Sequence, residues 1–285
     1  MKIDLLKKGI SLKDYQEIER LISTSNNKPL ELEDLWGMID TVWNELGCDS
    51  DKITESNIVE FYQHPVWLLN GLFIEEHTLS IQHRDAISDW IVKNISVGKV
   101  LDYGGGFGTL ARFISEKNRC LQIDIYEPFP HPYALKQVEP YPNINFISSI
   151  KGSYDCLVST DVLEHVPDPL KLLSEMIDSV RLDGYLIIGN CFYPVIKCHL
   201  PNTFHLRYTF NQFARLMGLE VIGNCEGSHA FIYKKVNDKV SNWLVLRLFE
   251  SLSKLVFPIL QNPQCLQVAH FAKKSIDNLF RLTAA

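Results

Sequence analysis

Apolar residues recur at helical spacing over roughly the first hundred residues of the chain. Ser11 is placed to cap a helix, and a second helical pattern runs from Leu30 to Leu46. A third begins after His64-Pro65, and its apolar positions are Val66, Leu69, Leu72, Phe73, Ile87, Trp90 and Ile91. The sequence therefore predicts a helical N-terminal cap over residues 1–97.

Short apolar runs alternate with amphipathic stretches from Lys99 onward, which is typical of a parallel sheet with crossover helices. Strands are predicted at 99–103, 120–126, 144–147, 154–159, 184–190, 219–224 and 229–235. No helix separates the last two, so a closing hairpin is expected. The fold class is α/β, a seven-stranded sheet with helices on both faces, and we assign it residues 98–237.

Two further helices have clear start signals. Asp168 before Pro169 forms an N-cap and first-turn pair, and Thr209 with Gln212 predicts a capping box that opens a helix ending at Gly218. Residues 238–285 predict C-terminal amphipathic helices, the first ending at Pro258 and the second near Leu282. Their polar faces carry both signs, so packing on the protein or on a second subunit is favoured over a membrane surface.

Composition and charge exclude several classes of protein. The net charge is -6, and the clusters of basic residues are no longer than pairs such as Lys7-Lys8, which disfavours a nucleic-acid partner. Seven cysteines without a CxxC motif lie mostly in apolar runs, as expected for reduced thiols in a cytosolic protein. No signal-peptide pattern or run of about 18 apolar residues is present, so we expect a cytoplasmic location.

The most informative segment is a strand that runs through Asp102 into a glycine-rich turn and then a helix. Glycines stand at 104, 105, 106 and 108, and Thr109 occupies the place where a dinucleotide fold needs its third glycine. An NAD-dependent oxidoreductase is therefore disfavoured. Glu127 ends the next strand, 19 residues after Gly108, where a carboxylate can accept hydrogen bonds from both ribose hydroxyls.

A third feature follows the fourth strand, the segment Ser159-Thr160-Asp161-Val162-Leu163-Glu164-His165-Val166. In this order the three features resemble the class I S-adenosylmethionine-dependent methyltransferases, in the branch with an LEHV signature that includes ubiquinone-type O-methyltransferases. The resemblance covers about residues 99 to 235. It implies a Rossmann-like methyltransferase domain with S-adenosyl-L-methionine as cofactor.

The resemblance also implies roles for particular residues. Asp102, Gly104 and Gly106 would lie against the methionine part of the cofactor, and Glu127 would hold its ribose. Asp161 to His165 would border the transferring methyl, and Phe204 to Thr209 would face the acceptor. The chain lacks the acidic residue that many members place after their third strand against adenine, so Ser148, Ser149 or backbone groups are alternatives.

Histidines at 165 and 205 are the candidate catalytic residues, with His165 as the general base for a hydroxyl proton. Two alternatives stay open. Asp161, Glu164 and His165 resemble the arrangement with which some relatives hold a divalent ion, and His199 or His205 would supply a further ligand. Glu164 and His165 could also serve only to stiffen the loop.

We therefore expect methyl transfer from S-adenosylmethionine to a small molecule, with oxygen as the favoured acceptor atom. A surface-glycan sugar unit and a phenolic metabolite both suit a lidded pocket. The alternative from another class is a catalytically idle cofactor-binding module that regulates a partner. Core packing is the default for Trp36, Trp43, Tyr62 and Trp67, although the Pro65 helix break could mark a lid. A homodimer through the C-terminal helices is left open.

Overall fold

The computed structural model describes residues 10–25, 29–50, 52, 54–238 and 242–261. In these ranges the helices are α1 (Leu12–Ile22), α2 (Leu32–Glu45), α3 (Glu55–Tyr62), α4 (Pro65–Ile74), α5 (Thr78–Asn94), α6 (Thr109–Lys117), α7 (Pro132–Val138), α8 (Pro169–Ser179), α9 (Leu206–Leu216) and α10 (Trp243–Leu260). The strands are β1 (Gly98–Tyr103), β2 (Leu121–Tyr126), β3 (Ile144–Ile147), β4 (Tyr154–Thr160), β5 (Val180–Gly189), β6 (Leu219–Asn224) and β7 (Phe231–Lys235).

The seven strands form one sheet in the order β3-β2-β1-β4-β5-β7-β6. The first five strands pair in parallel, and β7 pairs antiparallel with both β5 and β6. The chain leaves β1 toward β2 on one side and returns to β4 on the other, so the strand order reverses between β1 and β4. In open parallel sheets this switch point is where ligands bind, outside the carboxyl ends of the strands. The predicted α/β fold class and the closing hairpin are confirmed.

Local sequence explains most of these elements. The inner strands are continuous apolar runs because helices cover both faces of the sheet, and Leu101, Ile123 and Leu157 are fully buried. The Asp168 side chain accepts a hydrogen bond from the backbone N–H of Lys171 at the start of α8. The Ser11 side chain caps α1 in the same way. Both caps were predicted from the sequence.

Three predicted boundaries were wrong. The helix α9 begins at Leu206 rather than after Thr209, because the Thr209 hydroxyl donates to the His205 carbonyl inside the helix instead of capping it. Strand β5 begins at Val180, four residues before the predicted start at Gly184, and a register irregularity accompanies this extension. Pro258 lies within α10, which continues to Leu260. A proline near a helix end removes only one backbone hydrogen bond, so it need not stop the helix there.

The N-terminal helices fall into two groups. Buried residues of α1, α2 and α4 form one apolar core, with fully buried side chains at Ile18, Val42 and Leu69. In contrast, α5 packs on α6 and shares a core with the sheet through Ile87 and Ile91. We use "cap" below for residues 10–25, 29–50, 52 and 54–74. The division at residues 97 and 98 stays a prediction, and the core assignment favours a division before α5.

Polar contacts at the surface tie the cap to the segment after β5. The Lys197 backbone N–H donates to Asp40 at 2.7 Å, and the Lys197 Nζ donates to the Asn44 side chain at 2.6 Å. The Ser50 hydroxyl donates to the Lys197 carbonyl at 2.9 Å. Lys197 therefore fastens the post-β5 segment to α2 and to the turn that follows it.

The side of α10 that faces the domain combines a fully buried leucine, Leu246, with polar side chains. Glu250 and Ser253 are buried, and Arg247 forms an ion pair with Asp168. The Ser253 hydroxyl lies 2.8 Å from His205 Nδ1 and 2.9 Å from the Thr209 hydroxyl. The helix α10 thus packs on the protein, while Leu248, Phe249 and Leu252 of its apolar side are exposed. The second C-terminal helix predicted to Leu282 lies outside the described residues.

In the ranges that the structure describes, we find no helix with both the length and the apolar character needed to cross a bilayer.

Candidate functional site

A cavity of about 1120 Å³ opens at the carboxyl ends of β1, β2, β4 and β5, beneath the cap. Ordinary small-molecule pockets measure roughly 300–1,000 Å³, so this cavity has room for two ligands side by side. One wall carries the glycine turn, Glu127 and Asp161. The opposite wall consists of cap residues and the segment after β5, including Trp36, Ile39, Ile58, Tyr62, Trp67, Val195 and Ile196.

The glycine turn brings the backbone close to the Asp102 side chain. Gly104 has a φ of +73°, and a Cβ at Gly105 would lie 2.7 Å from the Asp102 carboxyl carbon. Side chains at these two positions would be strained or would clash. Asp102 is only 4% exposed, and its Oδ2 has no hydrogen-bond partner in the described part of the chain. Burial raises the pKa of Asp102 to about 7, and the Glu127 charge acts in the same direction while Arg84 opposes it.

Glu127 stands at the end of β2 and points into the cavity. Its Oε2 accepts a hydrogen bond from the Gly106 N–H at 3.1 Å, and its Oε1 accepts from the Phe129 N–H at 3.3 Å. Burial raises the pKa of Glu127, while these two backbone donors lower it. Asp124 lies on the opposite side of the strand, because side chains alternate along it, and accepts from the Tyr154 hydroxyl at 2.8 Å.

The segment after β4 forms a short 3-10 turn, Leu163–His165, that presents two chemically different side chains. Glu164 is fully buried, and its Oε1 accepts from the Cys191 N–H at 2.6 Å, while its Oε2 has no partner within the ranges that the structure describes. Burial raises the pKa of Glu164 to about 8, and the nearby Asp161 charge adds to the shift. His165 lines the cavity, and burial lowers its pKa to about 4, with His199 acting in the same direction.

The tautomers of His165 and His199 follow from their hydrogen bonds. His165 Nδ1 lies 3.1 Å from the Cys198 carbonyl oxygen, and His199 Nδ1 lies 2.7 Å from the Tyr193 carbonyl oxygen. Since a carbonyl only accepts, both Nδ1 atoms carry hydrogen in the neutral rings and both Nε2 atoms keep a lone pair. Burial lowers the pKa of His199 as well, so both rings are neutral at physiological pH.

Glu164, His165 and His199 form a cluster whose candidate ligand atoms all lie within 4.8 Å of one another. A buried carboxylate oxygen and two imidazole nitrogens are a donor set that suits a divalent transition metal. Of the predicted alternative ligands, the cluster includes Glu164, His165 and His199. It does not include Asp161, whose carboxylate instead faces His229 with an oxygen-to-nitrogen distance of 3.6 Å.

The structure does not bring His205 to the cavity. This side chain is 2% exposed, its Nδ1 is 2.8 Å from the Ser253 hydroxyl, and its buried Nε2 has no partner among the described residues. It stands just before α9, whose interface with α10 covers it. This position does not support the prediction of His205 as a catalytic residue or as a further metal ligand.

Ser148 and Ser149 also lie away from the main cavity. They line a separate depression of about 360 Å³ together with Asp124 and Tyr154. The expectation that either serine replaces an adenine-binding carboxylate is not supported by this position. In the stretch of chain that follows Glu127, the side chains of Phe129 and His131 line the main cavity.

Comparison with known proteins agrees with this geometry. The family model described as "Methyltransferase domain" matches residues 77–211. Residues 77–211 form a class I S-adenosylmethionine-dependent methyltransferase domain. The matched range begins just before α5, which agrees with the shared core of α5 and the sheet.

A curated relative of this methyltransferase domain is the ubiquinone biosynthesis O-methyltransferase of Shewanella sp. (strain ANA-3), 27% identical over 132 residues. The match covers 43% of this chain and 56% of the relative, so the chain spans about half the length of the curated relative it matches.

Solved structures give weaker likenesses. The 1,6-didemethyltoxoflavin-N1-methyltransferase of Burkholderia thailandensis is 13% identical with a TM-score of 0.47, over 64% of this chain and 87% of that one. An O-methyltransferase family protein from the same organism is 12% identical with a TM-score of 0.47, over 72% of each chain. The strand order and the site geometry above carry the fold assignment independently of these values.

Three residues at the edge of the methyltransferase cavity were missed by sequence reasoning. Arg84 of α5 lines the cavity, and burial lowers the pKa of its guanidinium, with Asp161 and Asp102 opposing that shift. The rings of His83 and His229 are tilted by 54° with centroids 5.0 Å apart, and their Nδ1 atoms are 3.1 Å apart. One signal was available for Arg84: it shares the helical stripe of Ile87 and Ile91, where a charge needs a buried partner or ligand.

Proposed function

We propose that this chain transfers the methyl group of S-adenosylmethionine to a hydroxyl of a small aromatic acceptor, bound between the cap and the sheet. The observation that carries the proposal is the composition of the cavity wall. Its cap side is largely apolar and aromatic, with Gln63, His64 and Asn70 as polar members, and His165 and His199 line the cavity beside it. A catalytically idle module has no need of a second, chemically distinct lobe beside the cofactor site.

The residues present fit the cofactor. The buried, unpartnered Oδ2 of Asp102 suits a cationic amino group, and Arg84 on the same side suits a carboxylate. Glu127 suits the two hydroxyls of a ribose, in exchange for part of its bonding to the Gly106 and Phe129 N–H groups. When bound, S-adenosylmethionine supplies an electrophilic sulfonium methyl, and the remaining chemistry is alignment and removal of the acceptor proton.

The aromatic lobe favours a phenol over a sugar. Trp36, Tyr62 and Trp67 line it together with aliphatic side chains. Three polar cap residues, Gln63, His64 and Asn70, also line it, whereas a sugar needs polar partners for nearly all of its hydroxyls. The ease of removing the acceptor proton also favours a phenol. A phenol has an ordinary pKa near about 10, as in tyrosine, while a hydroxyl with a pKa near that of water, about 15.7, is far harder to deprotonate.

In this proposal His165 holds the acceptor proton. Its Nδ1 is fixed toward the Cys198 carbonyl, so Nε2 keeps the lone pair that accepts a proton from the acceptor hydroxyl. The low pKa of His165, about 4, keeps the ring neutral and ready to accept at physiological pH. It also makes the ring a weak base, which restricts the reaction to acidic hydroxyls such as phenols.

A divalent ion on Glu164, His165 and His199 is the second candidate arrangement, favoured by the spacing of their ligand atoms. The unpartnered Oε2 of Glu164 fits a cation. Such an ion would lower the pKa of an acceptor hydroxyl and would use His165 as a ligand instead of a base.

The test is a methyl-transfer assay with purified chain, S-adenosylmethionine and a panel of phenols, catechols and monosaccharides, followed by mass spectrometry of the products. We expect a mass gain of one methyl on phenolic acceptors and none on the sugars. Methylation of sugars alone would contradict the acceptor class. Tight binding of S-adenosylhomocysteine without turnover on either class would favour the idle module.

A further inference from the structure

The helix α4 is apolar over its whole length except at one position. Its sequence is PVWLLNGLFI, and Asn70 is the only residue in it with a carboxamide, hydroxyl or charged side chain. Its buried side chains are all apolar, namely those of Val66, Leu68, Leu69, Leu72 and Phe73. Asparagine is a weaker helix former than leucine, because its amide competes for backbone hydrogen bonds. Asn70 therefore costs α4 stability that an apolar residue would supply.

The Asn70 side chain differs in its bonding from the other asparagines of the described helices. The other four form side-chain hydrogen bonds with described groups, and they are Asn44, Asn57, Asn94 and Asn211. Asn94, for example, donates to the Trp90 carbonyl one turn earlier at 2.7 Å. For Asn70 the equivalent acceptor is the Val66 carbonyl, and neither this carbonyl nor another described group bonds to the amide. The fold, as far as it is described, leaves this polar group without a use.

Asn70 faces the cavity instead of the cap core. The α4 residues Trp67, Asn70, Gly71 and Ile74 line the cavity, and their spacing of three, one and three positions places them on one side of the helix. The Asn70 side chain is half-buried there. Its neighbour Leu69 is instead fully buried in the core of the cap. The amide is therefore presented to the space that is built to hold ligands.

The neighbours of Asn70 along α4 locate it at the border of the two lobes. A Cβ at Gly71 would lie 2.5 Å from the Phe107 ring, so α4 touches the glycine turn at this point. One turn earlier, the Trp67 ring centroid is 6.4 Å from that of His165. Asn70 stands between these two contacts along the helix. One of its sides is therefore next to the turn at which a parallel sheet binds its cofactor.

The chemistry of a carboxamide fits the cofactor. An asparagine side chain offers two N–H donors and one carbonyl acceptor. S-adenosylmethionine has partners for both kinds of group, in its ribose hydroxyls and in the amino and carboxylate groups of its amino acid end. The α4 neighbours Trp67 and Ile74 offer ring and aliphatic surface instead. A polar group shielded from water contributes most when a ligand supplies its missing partner.

We propose that Asn70 is a cofactor-binding residue supplied by the cap, whose carboxamide forms a hydrogen bond to the ribose or to the amino acid end of S-adenosylmethionine. The sheet holds the cofactor through Asp102 and Glu127, and the cap holds it from the other side. Because α4 belongs to the cap, the cofactor binds more tightly when the cap is docked, and bound cofactor stabilises docking by the same free energy. This proposal does not depend on the chemical class of the acceptor.

Calorimetry of S-adenosylhomocysteine binding to the full chain tests the proposal without any acceptor. Asn70→Leu removes the amide at nearly constant side-chain size, and Asn70→Ala removes it without adding apolar bulk to the cavity. We expect both variants to bind S-adenosylhomocysteine about 3–10-fold more weakly, the range for loss of one ordinary hydrogen bond. The Tm of unliganded Asn70→Leu should be unchanged or higher, because leucine is the better helix former. A residue needed only for packing would instead show a lower Tm and an unchanged affinity, which would overturn the proposal.

The matched control is Asn94→Leu, since Asn94 is also a helical asparagine, bonds within its own helix and does not line the cavity. We expect its affinity for S-adenosylhomocysteine to stay within about twofold of that of the unmodified chain. An equal loss in Asn94→Leu would overturn the proposal. So would unchanged affinity in both Asn70 variants with a raised KM for the acceptor, because Asn70 would then belong to the acceptor lobe.

A second ligand, 5′-methylthioadenosine, distinguishes the two partners named in the proposal. This compound keeps the ribose and lacks the amino acid end. Weaker binding of both ligands to the Asn70 variants supports a bond to the ribose. Weaker binding of S-adenosylhomocysteine alone supports a bond to the amino acid end. Unchanged binding of both ligands would overturn the assignment of Asn70 to the cofactor.

Discussion

The two lobes of the cavity differ in where their residues stand along the chain. The lobe assigned to the cofactor takes Asp102, the glycine turn and Glu127 from two successive strand ends. The lobe assigned to the acceptor takes residues from the cap, from the turn after β4 and from the segment after β5, which extend from Trp36 to His199 along the chain. The first lobe is a local feature of the sheet, whereas the second exists only once the cap has docked.

The largest expected effect is on the acceptor side. His165→Ala should lower kcat by about 10²–10⁴-fold, because it removes the lone pair that receives the acceptor proton. Measurement of turnover with and without chelator and added Mg²⁺ separates the two arrangements proposed for this residue. Metal-independent activity of the unmodified protein would exclude the arrangement with a divalent ion.

The control for this variant is His205→Ala. Since His205 contacts Ser253 and does not line the cavity, we expect near-normal kcat and a lower Tm. A loss of kcat equal to that of His165→Ala would show that the two lobes were divided wrongly. Near-normal turnover of His165→Ala would exclude it as the base.

The next effect falls on the cofactor side. Glu127→Ala should weaken binding of S-adenosylhomocysteine by roughly 10–150-fold, since hydrogen bonds to a charged group contribute about 1.5–3 kcal/mol. Calorimetry measures this affinity. Asp124→Ala is the matched control, because the Asp124 carboxylate accepts a hydrogen bond from the Tyr154 hydroxyl outside the main cavity. Equal losses in the two variants would place the ribose elsewhere.

Cofactor affinity should also depend on pH through Asp102. The pKa of this carboxyl is about 7 without ligand, and a cationic amino group requires its ionised form. Below pH 7 binding must first remove a proton, so affinity should fall by up to about tenfold per pH unit as the pH is lowered, and should level off above pH 7. Asp102→Asn should bind weakly and without this slope in calorimetry between pH 5.5 and 8. A slope retained in that variant would assign it to another group.

The smallest effect concerns the joint between cap and sheet. A Cβ at Gly71 of α4 would lie 2.5 Å from the Phe107 ring, whereas a Cβ at Gly37 of α2 meets nothing within 4 Å. We expect Gly71→Ala to reduce the free energy of unfolding by about 1–3 kcal/mol, and Gly37→Ala to increase it by about 0.5–1 kcal/mol. Urea denaturation measures both. A lower free energy of unfolding for Gly71→Ala together with a higher one for Gly37→Ala supports close docking of the cap. Stabilisation by both substitutions would contradict it.

The same contrast explains what the sequence could predict. Strand periodicity and the spacing of Gly108 and Glu127 placed the sheet and one cavity wall, because these features depend on neighbours along the chain. His205 misled because its neighbourhood resembles an acceptor-facing segment, while its contacts come from α10, about 48 positions away. The start of α9 failed for a related reason, since Thr209 could equally cap a helix or bond within one.

His199 is a residue whose position the sequence left open and the fold decides. From the sequence it was one of two alternatives for a further ligand, and only the path of the chain after β5 decides between them. That path brings His199 beside His165, with ring centroids 4.8 Å apart. Arg84 could have been found earlier, because a charge on an apolar helical stripe is a local signal.

The Lys197 fastening has a consequence for the pace of the reaction cycle. Three hydrogen bonds at the surface hold one wall of the acceptor lobe to the cap, and each contributes about 0.5–1.5 kcal/mol. Opening this wall would also expose Ile196 and Cys198, which are buried with the cap core on either side of Lys197, but it would leave the sheet itself intact. The dwell time of a product would then be set in part by contacts outside the reaction centre. Evolution could adjust that dwell time at positions 40, 44 and 50 without altering any residue that touches the transferred methyl group.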